Sequence, residues 1–333
     1  MTAHHKKISW SRQKKAEEYA KKHNITVRRA CRLVAEDDPG GREIELPSRS
    51  YCQSLIKRRQ VSSHKGSFGK CLIIAGSQRY PGAAQIATIA ALRSGAGLVS
   101  VFTSLGCAAA LAISAKEATL MPCPADENGF ILPGDREINE LSQICRGASS
   151  ILIGCGLGIS TGGMTALRTA IESSACPIII DADGINLVFS GIELLRKARG
   201  RLILTPHPAE LSRLLKSPLD EVLKNRYPLA RELSRELDAV IAAKSSDTLI
   251  ISPERACLTG FGNDGLSKGG SGDLQAGITA SLLAQGYGAF EAALLGSAIL
   301  GICCERVSRR LSKTGMLASD ILDYLPKLFK SYE

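Results

Sequence analysis

Short apolar runs recur along this chain, and most end on glycine or a polar residue. Cys71–Ala75 runs into Gly76-Ser77, and Ser150–Ile153 into Gly154-Cys155-Gly156-Leu157-Gly158. Pro177–Ile180 runs into Asp181-Ala182-Asp183-Gly184, and Leu202–Leu204 into Thr205-Pro206-His207-Pro208-Ala209-Glu210. Unbroken runs of this length suit strands buried on both faces. Helical stretches separate them, among them Ala83–Gly95, Thr161–Ser173 and residues 208–236. The alternation predicts an α/β fold: a mostly parallel sheet with helices on both faces. Further strands are expected at Leu98–Phe102, Ala239–Ala243, Leu249–Ser252 and Ala256–Thr259, and closing helices at about 272–286, 288–307 and 316–329. Polar residues at the carboxyl ends of such strands line one edge of the sheet, where α/β folds hold ligands.

A second feature sits late in the chain. From Asn263 to Gly277 small residues and glycines pass without a break into the apolar run Ile278–Ala284. Glycines let the backbone approach a ligand closely. A helix beginning there offers unpaired N–H groups and the positive end of its dipole, which together favour an anion and above all a phosphate. Asp273 stands at that helix start. One reading makes it a helix cap. The other makes it a base that takes the proton from a hydroxyl attacking a phosphoryl group.

Other residues also admit two readings. Lys244 ends the strand Ala239–Ala243 and begins Lys244-Ser245-Ser246-Asp247-Thr248. It suits a phosphate contact or a solvated turn. His207, held between two prolines, reads as a ligand contact or a structural residue. Asp181 and Asp183 suit helix capping or Mg²⁺ held through water. The alanines of 83–91 suit close packing or ligand contact. The loop after Cys71–Ala75 lacks GxGxxG, so no dinucleotide fingerprint is present.

The net charge of +10 is concentrated at the start, where residues 1–34 carry ten Lys/Arg against two acids. The main body is therefore no basic nucleic-acid surface. Residues 5–35 suggest one or two short basic helices, read as a solvated or subunit-contact arm. Residues 35–50 read as a linker, so residues 1–50 are an extension and 51–333 the main domain. No apolar run is long enough to span a bilayer, and the start shows no secretory pattern. Eleven cysteines without a CxxC pair read as reduced thiols in a cytoplasmic protein.

In order, His64-Lys65-Gly66-Ser67-Phe68-Gly69-Lys70, Leu72-Ile73-Ile74-Ala75-Gly76-Ser77, Pro81-Gly82-Ala83-Ala84, Ile153–Gly158, Asp181–Asn186, Leu204–Glu210, Lys244–Thr248 and Leu266–Asp273 resemble the ADP/ATP-dependent NAD(P)H-hydrate dehydratases of the ribokinase-like superfamily. The resemblance covers about residues 50–330. It implies a ribokinase-like fold and repair of hydrated NADH and NADPH. A nucleotide phosphorylates the hydrate hydroxyl, and phosphate is then eliminated. By position it implies Asp273 as base and hydrate contact, with Ala84, Gly158 and His207 lining the hydrate pocket. The amides of Gly270, Ser271 and Gly272 would form the anion hole. Lys244, Ser245, Ser246, Asp247, Thr248 and Gly272 would bind the nucleotide, the loop by its phosphates. Mg²⁺ is implied as cofactor, with no ligand residues named. Gly-Gly-Ser-Gly-Asp is nearer the pattern of ADP-using members, so ADP is expected over ATP. Ser245 stands where the family has glycine, and Cys155 where it has proline. No epimerase domain is recognisable, so a separate NAD(P)HX epimerase is expected, and a homo-oligomer. Membrane and nucleic-acid partners are not expected. The alternatives are a ribokinase-like small-molecule kinase and, third, a non-enzymatic paralogue with a polyanion-binding arm.

Overall fold

The computed structural model describes residues 6–8, 10–23, 44–189 and 191–333. Eleven strands form one sheet: β1 Lys6–Ile8, β2 Ile44–Leu46, β3 Lys70–Ile74, β4 Leu98–Ser104, β5 Thr119–Cys123, β6 Ser150–Ile153, β7 Ile178–Ile180, β8 Leu202–Leu204, β9 Val240–Lys244, β10 Thr248–Ile251 and β11 Ala256–Leu258. Their order is β1-β2-β11-β10-β9-β8-β7-β6-β3-β4-β5. From β9 to β5 every neighbouring pair is parallel. The pairs β9–β10, β10–β11 and β1–β2 are antiparallel.

Alternate strand residues feed two separate cores. Ile73, Leu152, Ile179 and Ile203 pack on the side of helices Pro81–Arg93, Ser271–Ala284, Ala289–Leu311 and Ala318–Lys330. Ile74, Ile151, Ile153, Ile178 and Ile180 pack with helices Thr161–Ser173, Pro208–Leu215 and Leu219–Leu237. These side chains are at most 1% exposed, the two-sided burial that their continuous apolar character implies. The α/β expectation therefore holds.

Two differences from the sequence reading concern short elements. Residues 44–46, read as linker, form β2, and residues 6–8 of the extension form β1. β2 lies parallel to β11 and buries Ile44 and Leu46. The extension thus shares the sheet of the main body, through strands too short to show a pattern. Helix Trp10–His23 matches one expected basic helix, while the second falls outside the described residues. The ten described cysteines are free thiols. Among the described residues no helix is long and apolar enough to cross a membrane.

Chain order runs outward from β3 to β4 and β5 on one side, and from β6 to β9 on the other. Carboxyl ends of such strands are where α/β folds hold ligands, and those of β7, β8 and β9 lead to Asp181, Thr205 and Lys244. Helix Ser271–Ala284 crosses helix Pro81–Arg93 closely at Gly277. A Cβ on Gly277 would lie 2.3 Å from the Ala87 carbonyl oxygen and 2.8 Å from the Ala90 Cβ. That close crossing helps fix the start of the 271–284 helix at the crevice.

Candidate active site

Gly270 has φ 92°, in the left-handed region, and turns the chain into the helix that starts at Ser271. Gly270 at the cap and Ser271 and Gly272 in the first turn thus present N–H groups without carbonyl partners inside the helix, that of Ser271 donating to the Lys268 carbonyl at 3.5 Å. A cation reinforces them. A Cβ placed on Gly272 would lie 3.5 Å from the Lys244 Nζ and 3.8 Å from the Asp181 Oδ2. Glycine leaves that space open beside the ammonium group.

Lys244 comes from the end of β9 and Asp181 from the end of β7, two strands away. Lys244 Nζ donates to Asp181 Oδ1 at 2.7 Å, and Thr205 Oγ1, at the end of β8, donates to the same oxygen at 2.5 Å. Asp181 is 1% exposed. Burial opposes the Lys244 charge, but Asp181 and Glu210 outweigh it and hold the pKa above its usual value. Of the two readings of Lys244, the structure excludes the solvated turn. The capping reading of Asp181 and Asp183 also fails, since Ala182 is the cap residue and no side chain caps that helix. Asp183 instead accepts the Gly158 N–H at 2.8 Å.

Asp273 has no such cation bonded to it in the described structure. It lies in the first helical turn, and no side-chain cap bond forms at this helix start. Burial, then the charge of Asp181, push its pKa up to about 6. A group titrating there is suited to accepting a proton near neutral pH. Cys155, Asp181 and Asp273 present donor atoms within 4.8 Å of one another. Cys155 is fully buried, and its thiol donates to Asp181 Oδ2 at 3.9 Å.

His207 is the cap of helix Pro208–Leu215. Its Nδ1 accepts the Ala209 and Glu210 N–H groups at 3.1 and 3.3 Å, and Glu210 Oε2 accepts the His207 N–H at 2.8 Å. Nε2 carries the proton and lies 3.2 Å from Glu210 Oε1. Burial, then the positive charges of Lys244 and Arg213, lower its pKa, so the ring is neutral at pH 7. The side chain stays 47% exposed and lines the same cleft as Lys244.

Gly158 is buried beneath Phe130: a Cβ there would meet the ring at 2.2 Å. Ala84 is fully buried, with its Cβ 2.7 Å from where a Cβ on Gly76 would lie. Ala84 does not line that cleft.

A cleft of about 800 Å³ runs from His207 and Lys244 along Ser245–Thr248 to Gly272, with Phe261, Leu266 and Leu300 among its apolar walls. The three-residue turn 245–247 joins antiparallel β9 and β10, whose register pairs Thr248 with Lys244. The structure therefore gathers Lys244–Thr248, Gly272 and His207 at one cleft. Sequence reading missed Phe130 and Arg226, the latter buried against Asp247. Neither carries a local signal, because each matters through a partner distant in sequence.

Comparison with known proteins bears on this arrangement. The family profile described as NAD(P)H-hydrate dehydratase (Carb_kinase) matches residues 71–327. The ADP-dependent (S)-NAD(P)H-hydrate dehydratase of Bacillus subtilis is 31% identical over 284 residues, covering 85% of this chain and 97% of that protein. The bifunctional NAD(P)H-hydrate repair enzyme of Moorella thermoacetica is 31% identical over 86% of this chain but 54% of its own length. The chain thus spans about half the length of such bifunctional relatives. Among solved structures, the Bacillus subtilis ADP/ATP-dependent NAD(P)H-hydrate dehydratase co-crystallised with ATP/Mg²⁺ superposes with a TM-score of 0.73 at 28% identity, covering 86% of this chain and 98% of that one. A ribokinase-like superfamily protein of Enterococcus faecalis gives 0.76 at 26% identity, covering 86% and 95%. The chain belongs to the NAD(P)H-hydrate dehydratase family.

Proposed function

We propose that this protein restores NADH and NADPH from their S-hydrates at the expense of a nucleotide, with ADP favoured over ATP. One observation carries the reading most. Asp273, with a pKa of about 6, stands in the first turn of the helix whose glycine entry and neighbouring Lys244 suit a phosphoryl group. The hydrate enters on the His207 side, its reacting hydroxyl at Asp273. The nucleotide lies along Lys244–Thr248, its terminal phosphate at Gly270–Gly272.

Asp273 takes the hydroxyl proton as that oxygen bonds to phosphorus, and the bond from phosphorus to the leaving nucleotide oxygen breaks. With ADP the leaving group is AMP. The ring-carbon–oxygen bond of the phosphate ester then breaks, phosphate leaves with the electron pair, and loss of a ring C–H proton restores the double bond. The amides of Gly270–Gly272 and the Lys244 ammonium oppose the charge that builds on the phosphoryl oxygens. Asp181 holds Lys244 in place, and neutral His207 can contact the hydrate without adding charge.

Mg²⁺ fits this donor set: Asp181 Oδ2 has only the weak thiol contact, and neither it nor Asp183 Oδ1 is bonded to a cation in the described structure. Asp181 and Asp183 would hold the ion through water while it neutralises phosphate charge. The test incubates the protein with S-NADHX, Mg²⁺ and either ADP or ATP. Absorbance of the reduced nicotinamide should return, faster with ADP. No recovery with either nucleotide rejects the proposal, and a stable phosphorylated product would instead identify a simple kinase.

A further inference from the structure

A cavity of about 700 Å³, within the size range of small-molecule sites, lies away from the nucleotide cleft. Helix Ser271–Ala284 starts at the cleft, and Gln285 and Tyr287, just past its other end, line the cavity. The helix has 14 residues, so the two hollows lie at ends about 20 Å apart. The segment His64–Lys70, part of the family pattern, takes no part in the cleft lining; its Ser67 and Phe68 line this cavity instead.

Five cations line the cavity, Lys57, Arg58, Arg59, Arg93 and Lys330, against one acidic side chain, Glu333. Two of the five are seated on rings and carbonyls. The Arg59 guanidinium lies 3.9 Å from the Phe68 ring centre, and its Nη2 donates to the Gly95 oxygen at 2.8 Å. Lys57 Nζ lies 4.4 Å from the Tyr287 ring centre and donates to the Gly286 oxygen at 2.9 Å. Phe68, Gly95 and Tyr287 all line the cavity, so these contacts fix both charges at its wall. Arg58, Arg93 and Lys330 are exposed and form no ion pair or side-chain hydrogen bond among the described residues.

Local structure explains only part of this charge. Helices Pro81–Arg93 and Ser271–Ala284 both end here, each with about half a negative charge at its C-terminus. Together with Glu333 they offset about two of the five cations. Lys57 and Arg59, bonded to carbonyls just past those ends, fill that need. The other three repel one another unless an anion joins them, and a concave wall concentrates their field. The forks of Arg58 and Arg93 match pairs of phosphate oxygens. Leu92, Leu282 and Phe329 give an organic body an apolar wall.

We propose that this cavity is a binding site, separate from the cleft, for a phosphorylated organic anion of nucleotide size. Arg58, Arg93 and Lys330 bind the phosphate oxygens, and Lys57 and Arg59 shape the wall behind them.

Equilibrium dialysis of the full chain tests this with ADP, NADPH and inorganic pyrophosphate as probes. At least one probe should fill an equivalent, with a dissociation constant of about 0.1 mM or tighter, that disappears in Arg58→Gln with Arg93→Gln. Pyrophosphate filling it assigns recognition to the phosphates alone; ADP or NADPH filling it without pyrophosphate assigns it to phosphate and body together. Both substituted residues are exposed, so this variant should melt as the native chain does. Arg136→Gln with Arg199→Gln removes the same charge from exposed positions elsewhere and should keep the equivalent. Equal uptake of every probe by the native chain and the first variant overturns the inference. Loss of the equivalent in the second variant also overturns it, because net charge then explains the binding. Uptake at the cleft is counted separately, as the equivalents that the first variant retains.

Discussion

Asp181 at the end of β7 and Asp273 at the start of helix 271–284 share one crevice, yet their surroundings differ. Asp181 receives the Lys244 ammonium and the Thr205 hydroxyl on one oxygen. Asp273 receives neither, and its strongest charged neighbour is the Asp181 carboxylate. One acid is committed to holding a cation beside Gly272. The other is left with a proton affinity raised by burial and like charge. Residue type alone does not divide the cation holder from the proposed base; the partners do.

Substitutions can break this contrast. Asp273→Asn keeps the shape and removes the proposed base, so kcat should fall by about 10²–10⁴ with nucleotide binding retained. Turnover within tenfold of native would return Asp273 to a capping role. Asp181→Asn leaves Lys244 without its ion-pair partner and should lower unfolding free energy by about 2–4 kcal/mol. Denaturant titration reads this, and an unchanged midpoint would show that Lys244 finds another partner.

The pH profile sharpens the comparison. The proposed mechanism needs Asp273 ionised, so kcat/KM should fall on the acid side with an inflexion near the value of about 6. Residual activity of the Asp273→Asn variant should lack that limb; the same inflexion in both proteins would assign it elsewhere.

The smallest expected effect is on stability. Asp273 holds its proton more tightly in the folded chain than in the unfolded one. Its contribution to stability therefore falls as pH rises from roughly 4 to 6. Asp273→Asn escapes that loss and should be more stable than native by on the order of 1–2 kcal/mol at pH 7, with the gap closing near pH 3.5. A variant less stable than native at neutral pH would contradict the unfavourable setting assigned to this carboxylate.

The legible parts of the molecule are those with local signals. Ile178–Ile180 and Leu202–Leu204 appear as apolar runs, and their polar ends mark the crevice directly. Gly270–Asp273 stands out because glycines precede an apolar helix. By contrast, Lys244 and Asp181 are 63 residues apart, and only sheet order makes them neighbours. Helix Leu105–Ser114 went unread because its small and apolar residues lack a clear period. Strand Thr119–Cys123 contains Pro122 and lies at the sheet edge, where a proline costs no ladder bond. The Arg226–Asp247 pair spans 21 residues and follows a helix break that no local pattern announces.

The place of β2 between β1 and β11 bears on how the protein can be trimmed. A chain started at residue 51 would keep the crevice residues but strip the parallel partner from Ala256–Leu258. All three of those residues are buried, so their bare edge would offer apolar side chains and unpaired amides to another molecule. Such a truncation should self-associate, and light scattering across a concentration series would reveal it. The short strand Ile44–Leu46 then serves as a guard against aggregation, contributed from outside the stretch that carries the family pattern.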